Sequence, residues 1–105
     1  MSSFERVAGI DEIPNLGRKE VIIDDEIPAL LLHVDGIYYC VEDVCTHDGQ
    51  PLTNGLLAGL EIICPRHGAR FDITTGEATA LPARRPIRVF EVETRDDGIY
   101  VRGDE

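Results

Sequence analysis

Short runs of branched and aliphatic residues alternate with turn dipeptides along the chain, and no window of about a dozen residues sustains a helical period. Residues 19–24 and 27–34 are rich in branched side chains and read as strands, with Asp25-Glu26 between them. Asp35-Gly36 lies between the apolar runs 30–34 and 37–41, a pattern that predicts a tight hairpin because both residues tolerate left-handed backbone. Asp97-Gly98, between 88–93 and 99–102, predicts a second hairpin. Asn54-Gly55, Gly59 and Thr75-Gly76 mark further turns, and 11–16 has room for a helical turn or two at most. The expected fold class is all-β, an antiparallel sandwich or barrel.

Composition narrows the picture. The 105 residues suit a single domain, 1–105, and 43% hydrophobic with 29% charged residues is the balance of an ordinary globule. No apolar run approaches the roughly 20 residues of a membrane helix. The opening Met-Ser-Ser-Phe-Glu-Arg lacks a basic segment followed by an apolar one, so no leader and a cytoplasmic location are expected. Ten basic against twenty acidic residues give a formal charge of −10, which argues against nucleic acid as a partner. That balance suits transient docking onto a basic patch, and it equally serves solubility alone. Three cysteines, an odd number, do not suggest a disulfide framework; metal ligation or plain burial remains.

Two segments break the β pattern. Residues 44–52 and 65–69 carry Gly, Pro and polar residues together with two of the three histidines. Irregular loops on a rigid frame are where functional groups concentrate. The first holds Cys45-Thr46-His47 and the second Cys64-Pro65-Arg66-His67, with sixteen residues between them. Each offers a thiolate and an imidazole, a two-plus-two set that suits zinc or an iron–sulfur cluster. Structural zinc sites usually separate paired ligands by about two to four residues, whereas only Thr46 stands between Cys45 and His47. A two-iron cluster relaxes that demand, since one iron can take both thiolates and the other both imidazoles.

Taken whole, Cys45-Thr46-His47-Asp48-Gly49-Gln50-Pro51-Leu52 followed by Cys64-Pro65-Arg66-His67-Gly68-Ala69-Arg70-Phe71-Asp72 resembles the signature of Rieske 2Fe–2S proteins. Thr75-Gly76, then Leu81-Pro82-Ala83 and Pro86-Ile87, resemble the family's post-motif turn and its proline loop. The opening Arg6-Val7-Ala8 with Glu12-Ile13-Pro14 is similar to small bacterial Rieske ferredoxins. The resemblance implies a Rieske fold with a small cluster-binding subdomain of two loops (about 43–72) at one end, and a proline loop at about 80–86. It implies one 2Fe–2S cluster, with Cys45 and Cys64 on the inner iron and His47 and His67 on the outer one. Gly49 and Gly68 would let backbone N–H groups approach the cluster sulfurs, or simply serve turn geometry. Cys40 is expected in the core and His33 in a structural or exposed place.

The chain departs from the high-potential branch of that family. Gln50 and Arg66 stand where respiratory Rieske proteins carry a disulfide, and Ala69 and Phe71 stand where those proteins have hydroxyl donors. Donors to cluster sulfur stabilise the reduced state, so their absence implies a low potential, about −150 mV. The implied role is a non-catalytic, monomeric electron carrier between a flavin-containing ferredoxin reductase and a terminal ring-hydroxylating oxygenase. It is not the oxygenase, whose mononuclear iron needs two further histidines and a carboxylate when only His33 is left. Alternatives are a small redox subunit of a larger reductase such as nitrite reductase, and a ferredoxin of iron–sulfur assembly or housekeeping metabolism.

Overall fold

The computed structural model describes residues 3–103, so Met1 and Ser2 of the N-terminal segment and the last two residues lie outside it. Ten strands are present among the described residues: β1 (Glu5–Ala8), β2 (Arg18–Ile23), β3 (Ile27–Val34), β4 (Ile37–Glu42), β5 (Leu56–Ala58), β6 (Glu61–Ile63), β7 (Arg70–Asp72), β8 (Ala78–Ala80), β9 (Val89–Arg95) and β10 (Gly98–Arg102). They form a six-stranded sheet in the order β1-β10-β9-β4-β3-β2 and a four-stranded sheet in the order β5-β6-β7-β8. Every pairing is antiparallel. The all-β expectation holds, and no described helix is long and apolar enough to cross a membrane.

The larger sheet curls until its two edges nearly meet. Lys19 on β2 donates to the Val7 carbonyl on β1 at 2.8 Å, and its ammonium pairs with Glu12 at 2.8 Å. Inside lie Ala8, Val21, Ile23, Ala29, Leu31, Cys40, Phe90, Ile99 and Val101, drawn from every strand of that sheet. The turns follow from their residues. Asp35 and Gly36 adopt φ of 52° and 86°, the doubly left-handed turn that matches strand twist. The Asp35 amide also donates to Asn15 Oδ1 at 2.7 Å.

The β9–β10 turn sits one residue earlier than the Asp97-Gly98 pattern predicts. Gly98 pairs with Arg95, so Asp96-Asp97 form the loop and Gly98 opens β10. A Cβ on Gly98 would stand 2.6 Å from the Ala8 carbonyl oxygen, so this glycine serves the close passage of β1.

β3 explains the unbroken run Leu30-Leu31-Leu32. Successive side chains on a strand point to opposite faces. Leu31 enters the barrel interior, whereas Leu30, Leu32 and Val34 enter a second core shared with the smaller sheet. A strand buried on both faces loses the alternation that marks a half-exposed one. The second core includes Val41, Leu52, Ile62, Phe71 and Ile73, together with Cys45 and Cys64.

Candidate metal centre

Three loops converge at the outer end of the smaller sheet. Residues 43–55 link β4 to β5, 64–69 link β6 to β7, and 81–88 link β8 to β9. The first two share one hydrogen-bonded frame. The Cys45 amide donates to the Gln50 carbonyl at 2.7 Å, and the Cys64 amide donates to the Ala69 carbonyl at 2.7 Å. Four residues after each cysteine a glycine amide donates back to that cysteine's carbonyl, Gly49 to Cys45 at 2.7 Å and Gly68 to Cys64 at 3.1 Å. Both glycines hold left-handed backbone, with φ of 76° and 75°. An added Cβ would meet nothing within 4 Å at either, so backbone conformation rather than crowding requires glycine there. The two loops are copies of one closed turn, although histidine follows cysteine by two residues in one and three in the other.

This frame sorts the donors by depth. Cys45 and Cys64 are buried, at 0% and 1% exposure, while His47 and His67 are exposed. The two imidazole rings stand edge to face with centroids 5.3 Å apart. Burial is the main push raising the Cys45 thiol above its ordinary pKa, and the adjacent Cys64 thiol adds to it. The amides of His47 and Asp48 donate to the Cys45 sulfur and oppose that shift, which favours thiolate. The sulfurs of Cys45 and Cys64 and a carboxylate oxygen of Asp48 lie within 4.8 Å of one another. Asp48 is exposed, however, and its Oδ1 accepts the Gln50 amide at 3.0 Å, the hydrogen bond of an Asx turn. That bond accounts for Asp48 without a metal, and leaves two sulfurs within reach of one ion.

The donor set fits a two-metal group better than one ion. Two soft thiols meet in the interior and two imidazoles meet outside them, so each kind can serve its own metal. All three cysteines are free, and Gln50 and Arg66 are exposed side chains on the two loops. Ala69 and Phe71 are fully buried in the same core as the two cysteines and carry no hydroxyl. Pro82 is half-buried, joined to Leu81 by a cis peptide bond. The proline loop packs onto the cysteine core through its neighbours Ala83 and Ile87.

Other residues, which no motif marks, hold the loops. Asp43 caps the first loop, accepting from the Leu52 amide and the Thr53 hydroxyl, each at 2.6 Å. Arg18 reaches from the barrel to the carbonyls of Thr53 and Gly55 at 2.8 and 2.6 Å. Thr46 donates to the Arg85 carbonyl at 2.6 Å and so ties the first loop to the proline loop. An Asp or Thr just outside a strand was the only available signal, and it is shared with ordinary turns. Cys40 is 1% exposed inside the barrel, in a different core from Cys45 and Cys64, where burial pushes its thiol up to about 12. His33 stacks on Tyr38 at 4.3 Å, and its Nδ1 lies 2.8 Å from the Ile13 carbonyl oxygen, a structural role.

Residues 3–91 match the family model described as the Rieske [2Fe-2S] domain, and the chain belongs to that family. Its cofactor is accordingly a Rieske-type 2Fe–2S cluster. Within the family, one relative is the 3-phenylpropionate/cinnamic acid dioxygenase ferredoxin subunit of Photorhabdus laumondii subsp. laumondii. It is 33% identical over 100 residues, which cover 94% of this chain and 93% of that protein. Among solved structures, a chain in the complex of reduced oxygenase and oxidised ferredoxin in carbazole 1,9a-dioxygenase superposes with a TM-score of 0.89 at 31% identity, covering 97% of this chain and 94% of that one. The ferredoxin of carbazole 1,9a-dioxygenase from Nocardioides aromaticivorans IC177 gives 0.88 at 30% identity, covering 94% and 96%.

Proposed function

We propose that this chain is a soluble, non-catalytic ferredoxin whose cluster is held by Cys45, His47, Cys64 and His67, and which delivers single electrons to a terminal oxygenase of the ring-hydroxylating type. The observation that carries the reading is the layering of the site, with two buried thiols beneath two exposed imidazoles on a closed double loop. A bound Rieske cluster supplies reversible one-electron transfer. Around it, the chain's own residues do three things. Buried Leu52, Phe71 and Ala83 keep water from the sulfur side. The His47 and Asp48 amides stabilise charge on the Cys45 sulfur. The exposed imidazole edges leave the shortest path to a docked protein on the solvent side.

The groove along His47 opens to solvent, and the third histidine, His33, stacks on Tyr38 within the β3–β4 hairpin. The proposed partners are proteins on both sides of the transfer, a flavin-containing reductase upstream and an oxygenase downstream, and the chain acts as a monomer in the cytoplasm. The oxygenase-linked names of the relatives support the downstream half of this reading. The test is stepwise. The purified protein, red-brown and reducible by dithionite, should restore turnover to a ring-hydroxylating oxygenase supplied with NADH and a flavin reductase. Full reduction with no electron reaching any oxygenase, but rapid transfer to a nitrite reductase large subunit, would favour the reductase-subunit role instead.

A further inference from the structure

We infer that the face around His47 and His67 is built to meet a carboxylate-bearing surface of its redox partner, although the whole chain carries −10. The inference rests on the ferredoxin reading above and adds to it the sign of the partner's contact surface. It follows from what each basic residue does. Of the ten, Lys19, Arg70, Arg88, Arg95 and Arg102 are in salt bridges. Arg6 donates to the Asp97 carbonyl in the β9–β10 turn, and Arg18 to the carbonyls of Thr53 and Gly55 at the β5 end of the first loop. The remaining three, Arg66, Arg84 and Arg85, have no ion pair among the described residues and are exposed, and Arg85 donates to the Thr46 carbonyl beside His47 at 3.4 Å, a contact that leaves its charge unbalanced. All three lie on the loops that carry or adjoin the cluster site, Arg66 beside His67 and the other two on the proline loop.

Of the acids near that face, Glu42 is balanced by Arg88 at 3.5 Å, while Asp43 and Asp48 keep their charge within hydrogen bonds to the first loop, so the three guanidinium groups outnumber them. Arg85 and His47 share one groove of about 630 Å³ with Glu42 and Asp48, and Arg66 lines a second cleft of about 360 Å³. Leu81, 68% exposed on the proline loop, supplies an apolar contact on the same loop as Arg84 and Arg85. An arginine fork matches a carboxylate in two hydrogen bonds, which gives register as well as attraction.

Local charge governs at contact for a reason of distance. The molecule is 39 Å long, while the Debye length at physiological salt is about 8 Å. The many acids of the barrel keep the protein soluble, but salt screens them from a partner seated at the far end. Three guanidinium groups without a balancing carboxylate, placed within the contact, are not screened in the same way.

The test uses the cluster-loaded protein, reduced by dithionite freed of excess reagent, and two one-electron oxidants of opposite charge, ferricyanide and hexaammineruthenium(III). Each takes one electron from the protein, and stopped-flow absorbance follows reoxidation. Raising salt from 0.1 to 1 M shortens the Debye length from about 10 to about 3 Å and should slow the ferricyanide reaction at least about threefold. The double variant Arg66→Glu/Arg84→Glu should reverse that salt slope. Arg95→Glu/Arg102→Glu, which changes the net charge equally on β9 and β10, should leave it in place. Equal effects of the two double variants, or a wild-type ferricyanide rate that rises with salt, would mean that net charge governs and would overturn the inference alone. Absence of a reducible cluster would instead remove the ferredoxin reading, and this inference with it.

Discussion

The barrel and the site-bearing lobe are built from the same antiparallel pairing but solve different problems. In the barrel, long strands form the hairpins β2–β3–β4 and β9–β10 through short turns and enclose an apolar interior that includes even a cysteine, Cys40. In the lobe, strands of three residues leave most of the chain in loops, and two of the buried side chains are the thiols of Cys45 and Cys64. A short sheet cannot bury much apolar area, and burial yields only about 25 cal/mol per Å². The lobe therefore shares its core with Leu30, Leu32 and Val34 of β3 and Val41 of β4, whereas the barrel closes a second core of its own.

The largest expected effect separates the two regions outright. Cys64→Ser should abolish stoichiometric cluster binding, measured as iron and acid-labile sulfide, while far-UV circular dichroism retains the barrel's β signal. Loss of both together would show that the barrel is not independent of the cluster. Next comes the shared core. Leu32→Ala should lower stability by about 2–5 kcal/mol in chemical denaturation of the loaded protein and loosen the lobe, because Leu32 faces the cysteine core. Leu31→Ala should cost a similar amount on the barrel side yet leave cluster loss on dilution unchanged. Equal cluster loss from both would erase the distinction. The smallest effect is electronic. Phe71→Tyr offers a hydroxyl to the cysteine core, and one hydrogen bond of about 1 kcal/mol to the reduced state raises a one-electron potential by about 40 mV. Protein-film voltammetry should find the parent near −150 mV, the low end of the Rieske range, and the variant above it. An unmoved or lowered value would show that no donor reaches sulfur from this position.

The same division decides what the sequence shows. The barrel's hairpins are legible because turn chemistry and apolar alternation reinforce each other, as at Asp35-Gly36 with the runs on either side. Where they compete, the reading slips. Gly98 looks like a turn residue but is required by the passage of β1, so the loop falls on Asp96-Asp97. Strands β5 to β8 leave no periodicity at all, since three residues cannot establish a period of two. The candidate site is legible in its residue types, because Cys and His placed close together in two loops have few other uses, and the structure brings the two pairs to one end of the lobe. Its support is not. That Cys45 and Cys64 begin the same closed turn follows from backbone hydrogen bonds to Gln50 and Ala69, which accept through carbonyls any residue would offer. The contributions of Ala83 and Ile87 depend on the proline loop folding back over the lobe, a long-range event without a local pattern.

Two imidazoles and two thiols sharing one cluster are the heart of the proposed function, and nitrogen-15 labelling of histidine reads this directly. Pulsed EPR of the reduced, labelled protein should show two coupled imidazole nitrogens, one lost in His47→Cys and the other in His67→Cys, with His33 contributing none. A reduced-state signal without imidazole nitrogen coupling, or one unaffected by either substitution, would contradict it.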